Sequence, residues 1–232
     1  MVKHVLRFVG AVAITAMASV PVARAQTRGV TAEDYYAFET LTDPHFSPDG
    51  STIAFVVTTV DQVQNRRRSA IWAISAEGSR EPVVLTTAPQ SSTSPRWKPD
   101  GAAIAFLSAR PMPGDPAGDT PKMQVWLLPL AGGEPRRVTN LLNGVSRFEW
   151  SPDGTRLVVV GRSGPSDGAK SPSDVRHYKH ANYKFNDSGW FDDRRSHIWI
   201  VDTRSGSARQ LTDGDDREFP SYRIAPDELD RT

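Results

Sequence analysis

The chain has 232 residues, with 28 Lys and Arg against 27 Asp and Glu and a formal net charge of +1 at neutral pH. So even a balance carries no electrostatic footprint for nucleic acid. There is no cysteine, which excludes disulfides and thiol catalysis.

The first elements along the chain read as a targeting signal. Lys3, His4 and Arg7 precede an apolar run over 8–23, and Ala23-Arg24-Ala25 forms a small-x-small cleavage site. This is the layout of a secretory signal peptide over 1–25, so a periplasmic or secreted location is expected. An uncleaved anchor is the alternative, but the run is short for a membrane span. No later segment is long or apolar enough to span, so no membrane contact is expected after cleavage. Removing the signal leaves 25 basic against 27 acidic residues.

An N-terminal segment over 26–42 comes next. A short helix is predicted over 31–41, with Thr31 as cap and Asp34 three residues on. A repetitive region then fills 43–232.

Its signature is a repeat. Ser-Pro-Asp-Gly occurs at 47–50 and 151–154, Lys98-Pro99-Asp100-Gly101 lies between, and Ala225-Pro226-Asp227-Glu228 is a weaker echo. Two residues before each proline stand Phe46, Trp97, Trp150 and Ile224. Five and seven after the first three come Ile53 and Phe55, Ile104 and Phe106, Leu157 and Val159. That period is a strand with one face buried. Ile71-Trp72, Val125-Trp126 and Ile198-Trp199 follow, then a polar turn, then Leu85-Thr86, Val138-Thr139 and Leu211-Thr212. From each Trp to the next repeat's proline the separation is 27, 26 and 27 residues. Four short strands per repeat are predicted, here named A to D. The fold class is therefore all-β: a partial propeller of four-stranded blades, with blades about 43–87, 94–139 and 146–212 and the start of a fourth from 219.

Ser, Pro, Asp and Gly in that order suit a type I turn between strands A and B. Asp49, Asp100 and Asp153 are accordingly read as turn formers and not as catalytic or metal-binding carboxylates. Arg66-Arg67-Arg68, the only basic run, is read as a solvated loop.

Blade three carries an insertion over 161–196 between strands B and C. It begins rich in Gly, Pro and Ser and becomes aromatic and basic, with His177, Tyr178, His180, Tyr183, Phe185, Trp190 and Phe191. Alternation of strand direction sends it out of the same end as the D-to-A connections. Two readings stand: contact with a substrate or another domain, or a decoration packing its own aromatics. His177 and His180 lack a third spaced ligand, so no metal is expected. Asp213, Asp215, Asp216 and Glu218 lack EF-hand spacing and read as a solvated connection.

No Gly-x-Ser-x-Gly elbow occurs; Gly161-Arg162-Ser163-Gly164 has the wrong spacing and is read as loop. No catalytic, cofactor-binding or metal residue is assigned, and no cofactor is expected.

The motifs also carry a likeness. Thr31-Ala32-Glu33-Asp34, the run from Asp43 to Gly50, Ser94-Pro95-Arg96-Trp97-Lys98-Pro99-Asp100-Gly101, and Gly132-Gly133-Glu134-Pro135-Arg136-Arg137-Val138-Thr139 resemble the N-terminal propeller of exported bacterial serine peptidases of the prolyl oligopeptidase family, in its acylaminoacyl-peptidase and dipeptidyl-peptidase branch. The resemblance implies a propeller of about seven blades that gates peptide access to a Ser-Asp-His hydrolase domain. Neither is complete here, so no catalytic residue carries over and the chain alone is expected to be inactive. Its partner would be a peptide substrate, met through a hydrolase domain that this chain lacks. Glu228 and Arg231 break the repeat's pattern, as a gene fragment, a frameshift or an expressed piece would. A TolB-like periplasmic propeller that binds proteins is the alternative. Exposed side faces on blades one and three predict marginal stability or aggregation.

Overall fold

The computed structural model describes residues 28–87, 89–115, 120–164, 184–185, 189–190 and 194–213. The signal segment, His177, His180, Asp215, Asp216, Glu218, most of the insertion and the fourth repeat lie outside these residues. Among the described residues no helix is long and apolar enough to cross a membrane.

Ala32–Ala37 forms about two turns of 3-10 helix, and the Asp34 carboxylate accepts a hydrogen bond from the Thr31 N–H at 2.7 Å. The helix is shorter than the sequence suggests. Phe38 is already extended, and Thr40 and Leu41 pair with Thr58 and Val57 in a sheet. Tertiary pairing of a β-branched and an apolar residue outweighs weak local helix propensity.

Three four-stranded antiparallel sheets follow, each wound in chain order. The first is β1 (Thr40–Phe46), β2 (Thr52–Asp61), β3 (Arg66–Ser75) and β4 (Val83–Val84). The second is β5 (Ser92–Trp97), β6 (Ala103–Ser108), β7 (Gln124–Pro129) and β8 (Arg136–Arg137). The third is β9 (Arg147–Trp150), β10 (Arg156–Ser163), β13 (Arg195–Asp202) and β14 (Ala208–Gln210). Inside the blade-three insertion, β11 (Lys184–Phe185) pairs with β12 (Gly189–Trp190). The fold is a partial β-propeller of three blades.

Two sequence expectations are corrected. Arg66, Arg67 and Arg68 are not a loop: they open β3 and pair with Asp61, Val60 and Thr59. The Asp61 carboxylate fixes that register, accepting from the Gln64 N–H at 3.0 Å and from Arg68 Nε at 2.7 Å. Gly161, Arg162 and Ser163 are likewise strand, paired with His197, Ser196 and Arg195. The B and C strands of blade three thus run further into the 161–196 stretch than composition suggested, because backbone pairing satisfies groups that a polar loop would leave to water.

The repeat motifs have separate physical jobs. In each A–B turn the glycine N–H bonds the carbonyl three residues back: Gly50 to Ser47, Gly101 to Lys98 and Gly154 to Ser151, at 2.8 to 2.9 Å. All three glycines have positive φ, between 66° and 74°, which only glycine adopts without strain. The Leu-Thr or Val-Thr pair continues strand D by a side-chain device. The Thr86, Thr139 and Thr212 hydroxyls accept from the N–H of Ile71, Val125 and Ile198 at 2.9, 2.8 and 3.0 Å. The carbonyls of the same three residues accept from the N–H of Leu85, Val138 and Leu211. The pair is a two-bond clamp that closes each blade's outer strand.

Alternation along strands B and C creates two faces per blade. The leading face holds Phe55 opposite Trp72, Phe106 opposite Trp126, and Val159 opposite Trp199. In blade two it packs on blade one, where Phe106 and Trp126 bury against Ile71. In blade three it packs on blade two, with Val159, Leu157 and Val201 against Ala105, Leu107, Val125 and Leu127. The opposite, trailing face of blades one and two meets the next blade. Blade two, covered on both sides, is buried at every position of β6, as a sandwiched strand requires.

Candidate functional site on the inner strands

The first strand of each blade lies against the first strand of the next, so β1, β5 and β9 form the inner rim of the propeller. Indoles set their spacing. Trp97 Nε1 on β5 donates to the His45 carbonyl on β1 at 3.0 Å, and Trp150 Nε1 on β9 donates to the Arg96 carbonyl on β5 at 3.2 Å. Both rings stand two residues before the turn proline, where they reach back one blade.

The turns stack in the same sense. An added Cβ on Gly154 would sit 3.2 Å from the Pro99 ring, and one on Gly101 would sit 3.9 Å from the Pro48 ring. Each blade's turn glycine thus rests on the preceding blade's turn proline.

A polar row crosses this rim. Arg96 Nη1 donates to both oxygens of Asp43 at 3.1 Å, and Arg96 Nε lies 3.3 Å from Glu149 Oε1. One guanidinium therefore ties side chains from three blades. Asp43 Oδ1 also lies 2.8 Å from His45 Nε2. The Arg96 and Asp43 side chains are mostly buried, whereas Glu149 is open to solvent.

Backbone irregularity aims this row. Asp43 has φ +53° and sits at a bulge between Thr42 and His45. Ser94 has φ +54° at the matching bulge between Thr93 and Arg96. Both precede a proline, and blade three, with Arg147-Phe148 there, pairs without a bulge. Asp and Ser tolerate the left-handed region better than bulky residues do, and a bulge re-aims a side chain. Sequence reasoning missed Asp43, Arg96 and Glu149 as a set. The signal was present in the Asp-Pro and Ser-Pro dipeptides two residues ahead of the aromatic.

The turn aspartates are fully engaged locally. Asp49, Asp100 and Asp153 each accept from the backbone N–H two residues on, at 3.1, 3.0 and 3.0 Å. The Ser151 hydroxyl, then the Thr155 N–H and hydroxyl, hold Asp153 well down, to about 2. The Ser47 hydroxyl leads the same lowering at Asp49, and the Lys98 ammonium leads it at Asp100.

At the other end of blade two, the Arg110 guanidinium stands 5.2 Å from the Phe106 ring centre and 5.7 Å from that of Trp126. Its Nε and Nη2 donate to the Ser108 and Ser92 hydroxyls at 3.1 Å. Burial pulls its pKa down from the usual arginine value. Buried Gln124 beneath it donates to the Leu141 carbonyl at 2.7 Å and accepts from the Thr139 hydroxyl at 2.7 Å. Ser163, from the string tested as a nucleophile elbow, donates from β10 to Gln210 Oε1 at 2.9 Å. Asp213 is an exposed residue beyond β14. Among the described residues no group of three or more His, Cys, Asp or Glu side chains is placed to hold a metal ion.

An open depression of about 190 Å³ lies on blade one, its lining including Glu39, Val57, Thr59, Arg68, Ala70 and Trp72.

No protein-family model matches the chain. Over 190 residues, 79% of its length, it is 32% identical to the uncharacterized peptidase YuxL of Bacillus subtilis, of which it spans 28%. Over 114 residues, 49% of its length, it is 28% identical to dipeptidyl-peptidase 5 of Porphyromonas endodontalis, of which it spans 15%. Among solved structures, the acylaminoacyl peptidase of Pyrococcus horikoshii superposes with a TM-score of 0.60 at 22% identity, over 76% of this chain and 26% of that one. The chain thus spans 15 to 28% of the length of the peptidases it resembles.

Proposed function

We propose that this chain serves as the propeller portion of an exported serine peptidase of the prolyl oligopeptidase type, and that its part is to gate peptide access to a catalytic domain, not to cleave. The observation that carries this is the inner rim. Three successive inner strands are locked by indole-to-carbonyl bonds and bridged by Arg96 between Asp43 and Glu149. Among the described residues no hydroxyl is placed beside both a histidine base and an oxyanion hole. Among the described residues the His197 ring meets the Thr212 hydroxyl, at 3.3 Å, the same hydroxyl that accepts from Ile198 in the blade-three clamp. The sequence relatives are peptidases, so the peptide substrate and the gating role are brought to this chain from that likeness.

The test has two arms. The purified chain is assayed with blocked acyl-aminoacyl and dipeptidyl chromogenic peptides; no turnover is expected, and turnover that survives repurification overturns the reading. Genomic DNA past codon 232 is read in all three frames; a Gly-x-Ser-x-Gly elbow followed by Asp and His is expected, and a gene without one removes the peptidase assignment.

A further inference from the structure

The connection from blade two to blade three carries a reactive pair. Asn143-Gly144 is the one Asn-Gly step in the sequence. Glycine has no side chain to shield its backbone nitrogen and turns freely, so that nitrogen can attack the side-chain carbonyl carbon of the asparagine before it. The N–Cγ bond forms, the Cγ–Nδ2 bond breaks, and the glycine N–H proton leaves with the side-chain nitrogen as ammonia. Water then opens the cyclic imide to an aspartyl or an isoaspartyl linkage. Water is the only co-reactant.

The fold engages both reacting groups. The buried Gly144 N–H donates to the Leu141 carbonyl at 3.0 Å. Asn143 Nδ2, the leaving group, donates to the Arg162 carbonyl of β10 at 3.0 Å. Ring closure and loss of ammonia must break both bonds. The Leu141 end is itself anchored, because buried Gln124 donates to its carbonyl at 2.7 Å and accepts from its N–H at 3.2 Å. Just beyond the pair, the Val145 N–H donates to the Met123 carbonyl in blade two at 2.7 Å, and the Ser146 N–H donates to the Val160 carbonyl in blade three at 2.8 Å. The reactive turn is thus held by two blades at once. The three Pro-Asp-Gly turns also bond their glycine N–H to the carbonyl three residues back, but a carboxylate oxygen is a poor leaving group and its reaction creates no new charge.

We propose that Asn143 is a deamidation site, closed while blades two and three are docked and released when their junction opens. Local openings of this kind need less free energy than global unfolding. Reaction makes the opening permanent. The product side chain has no N–H for the Arg162 carbonyl and sets a carboxylate oxygen against it, acceptor against acceptor. An isoaspartyl linkage also lengthens the backbone beside Gly144, where an added Cβ would already stand 2.8 Å from the Met123 carbonyl oxygen. The inference is independent of the peptidase reading.

Peptide mapping by mass spectrometry, with isoaspartyl methyltransferase labelling, follows each asparagine of the chain in mildly alkaline buffer with and without urea. Asn143 should lose ammonia about tenfold or more slowly in the folded chain, the scale of a modest local opening; equal rates overturn the proposal. Gln124→Met removes both bonds to Leu141 at similar volume. Gly161→Ala places a Cβ 2.7 Å from the Leu141 side chain and 2.9 Å from the Gly144 carbonyl oxygen. Either variant, once circular dichroism shows it folded, should speed the loss severalfold. Trp97→Phe loosens the junction of blades one and two and should leave the rate near that of the wild type. Acceleration by Trp97→Phe equal to that by Gln124→Met would place the gate in global unfolding and overturn the proposal. Asn143→Asp, which installs the product side chain, should lower the urea midpoint further than Asn143→Ala does, since it adds repulsion to the lost bond. A midpoint at or above that of Asn143→Ala overturns the step that makes the opening permanent.

Discussion

The Trp150 indole nitrogen donates to the Arg96 carbonyl oxygen at 3.2 Å, and this bond repeats, one blade later, the one from Trp97 to His45. A tryptophan two residues ahead of Pro-Asp-Gly therefore acts as a spacer between blades. The same Arg96 carries the guanidinium that bridges Asp43 and Glu149, so backbone and side chain of one residue hold three blades in place.

Trp97→Phe and Trp150→Phe keep most of the ring and remove only the donor. Each should lower unfolding free energy by about 1 kcal/mol, the net worth of a hydrogen bond. Urea denaturation of the two single variants and the double variant measures this. A double-variant loss well above the sum of the singles would show that the two bonds act together through β5.

The Thr139 hydroxyl accepts from the Val125 N–H and donates to Gln124 Oε1, both buried. Thr139→Val fills the same volume but leaves two buried polar groups without that partner. It should cost about 1–3 kcal/mol, while Thr139→Ser, which keeps the hydroxyl, should cost less. The order of the two midpoints in urea decides whether the clamp or the methyl group matters.

Trp126 and Trp199 occupy equivalent positions with different outcomes. Trp126 Nε1 donates to the Ser108 carbonyl at 3.1 Å, whereas Trp199 Nε1 is buried with no partner among the described residues. The residue matching Ser108 in blade three is Gly161, whose Cβ position is taken by the Leu141 side chain. Trp126→Phe should destabilise by about 1 kcal/mol, and Trp199→Phe should destabilise clearly less or stabilise, because it removes an unsatisfied buried donor. Equal losses in thermal denaturation would refute the distinction.

Acid should loosen the turns. The folded-state pKa of Asp153 is depressed to about 2, first by the Ser151 hydroxyl. A depressed carboxyl contributes stability that is present above its unfolded value, near 4, and is lost as pH falls through the folded one. The melting temperature should therefore drop between about pH 4 and pH 2, and Asp153→Asn should drop less over that window. Parallel curves for the two proteins would remove Asp153 from the acid response.

Gly154 combines a φ of +66° with a Pro99 ring 3.2 Å from where a Cβ would stand. Gly154→Ala should cost about 1–2 kcal/mol for the left-handed backbone alone, plus the contact with Pro99. Gly50→Ala, with a φ of +74° and open space around it, isolates the backbone part. The difference between the two midpoints in urea reads the inter-blade contact directly.

Local chemistry settled a good deal of this molecule from its amino acids alone. The Pro-Asp-Gly turns, the period-two strands and the Trp-to-Pro spacing are short-range features, because a turn type and a strand face depend on neighbours a few residues away. They determined three four-stranded units and the engagement of Asp49, Asp100 and Asp153 in turns. Tertiary structure decided what required one blade to meet another. The helix stops at Ala37 because Thr40 and Leu41 find partners in β2, and Arg66–Arg68 is strand because Asp61 lies across from it. Arg96 becomes a bridge only when two bulged strands and a third bring Asp43 and Glu149, each 53 residues away, to its two sides. Separations of that size are closed by packing of apolar faces, and no pattern within one repeat carries them.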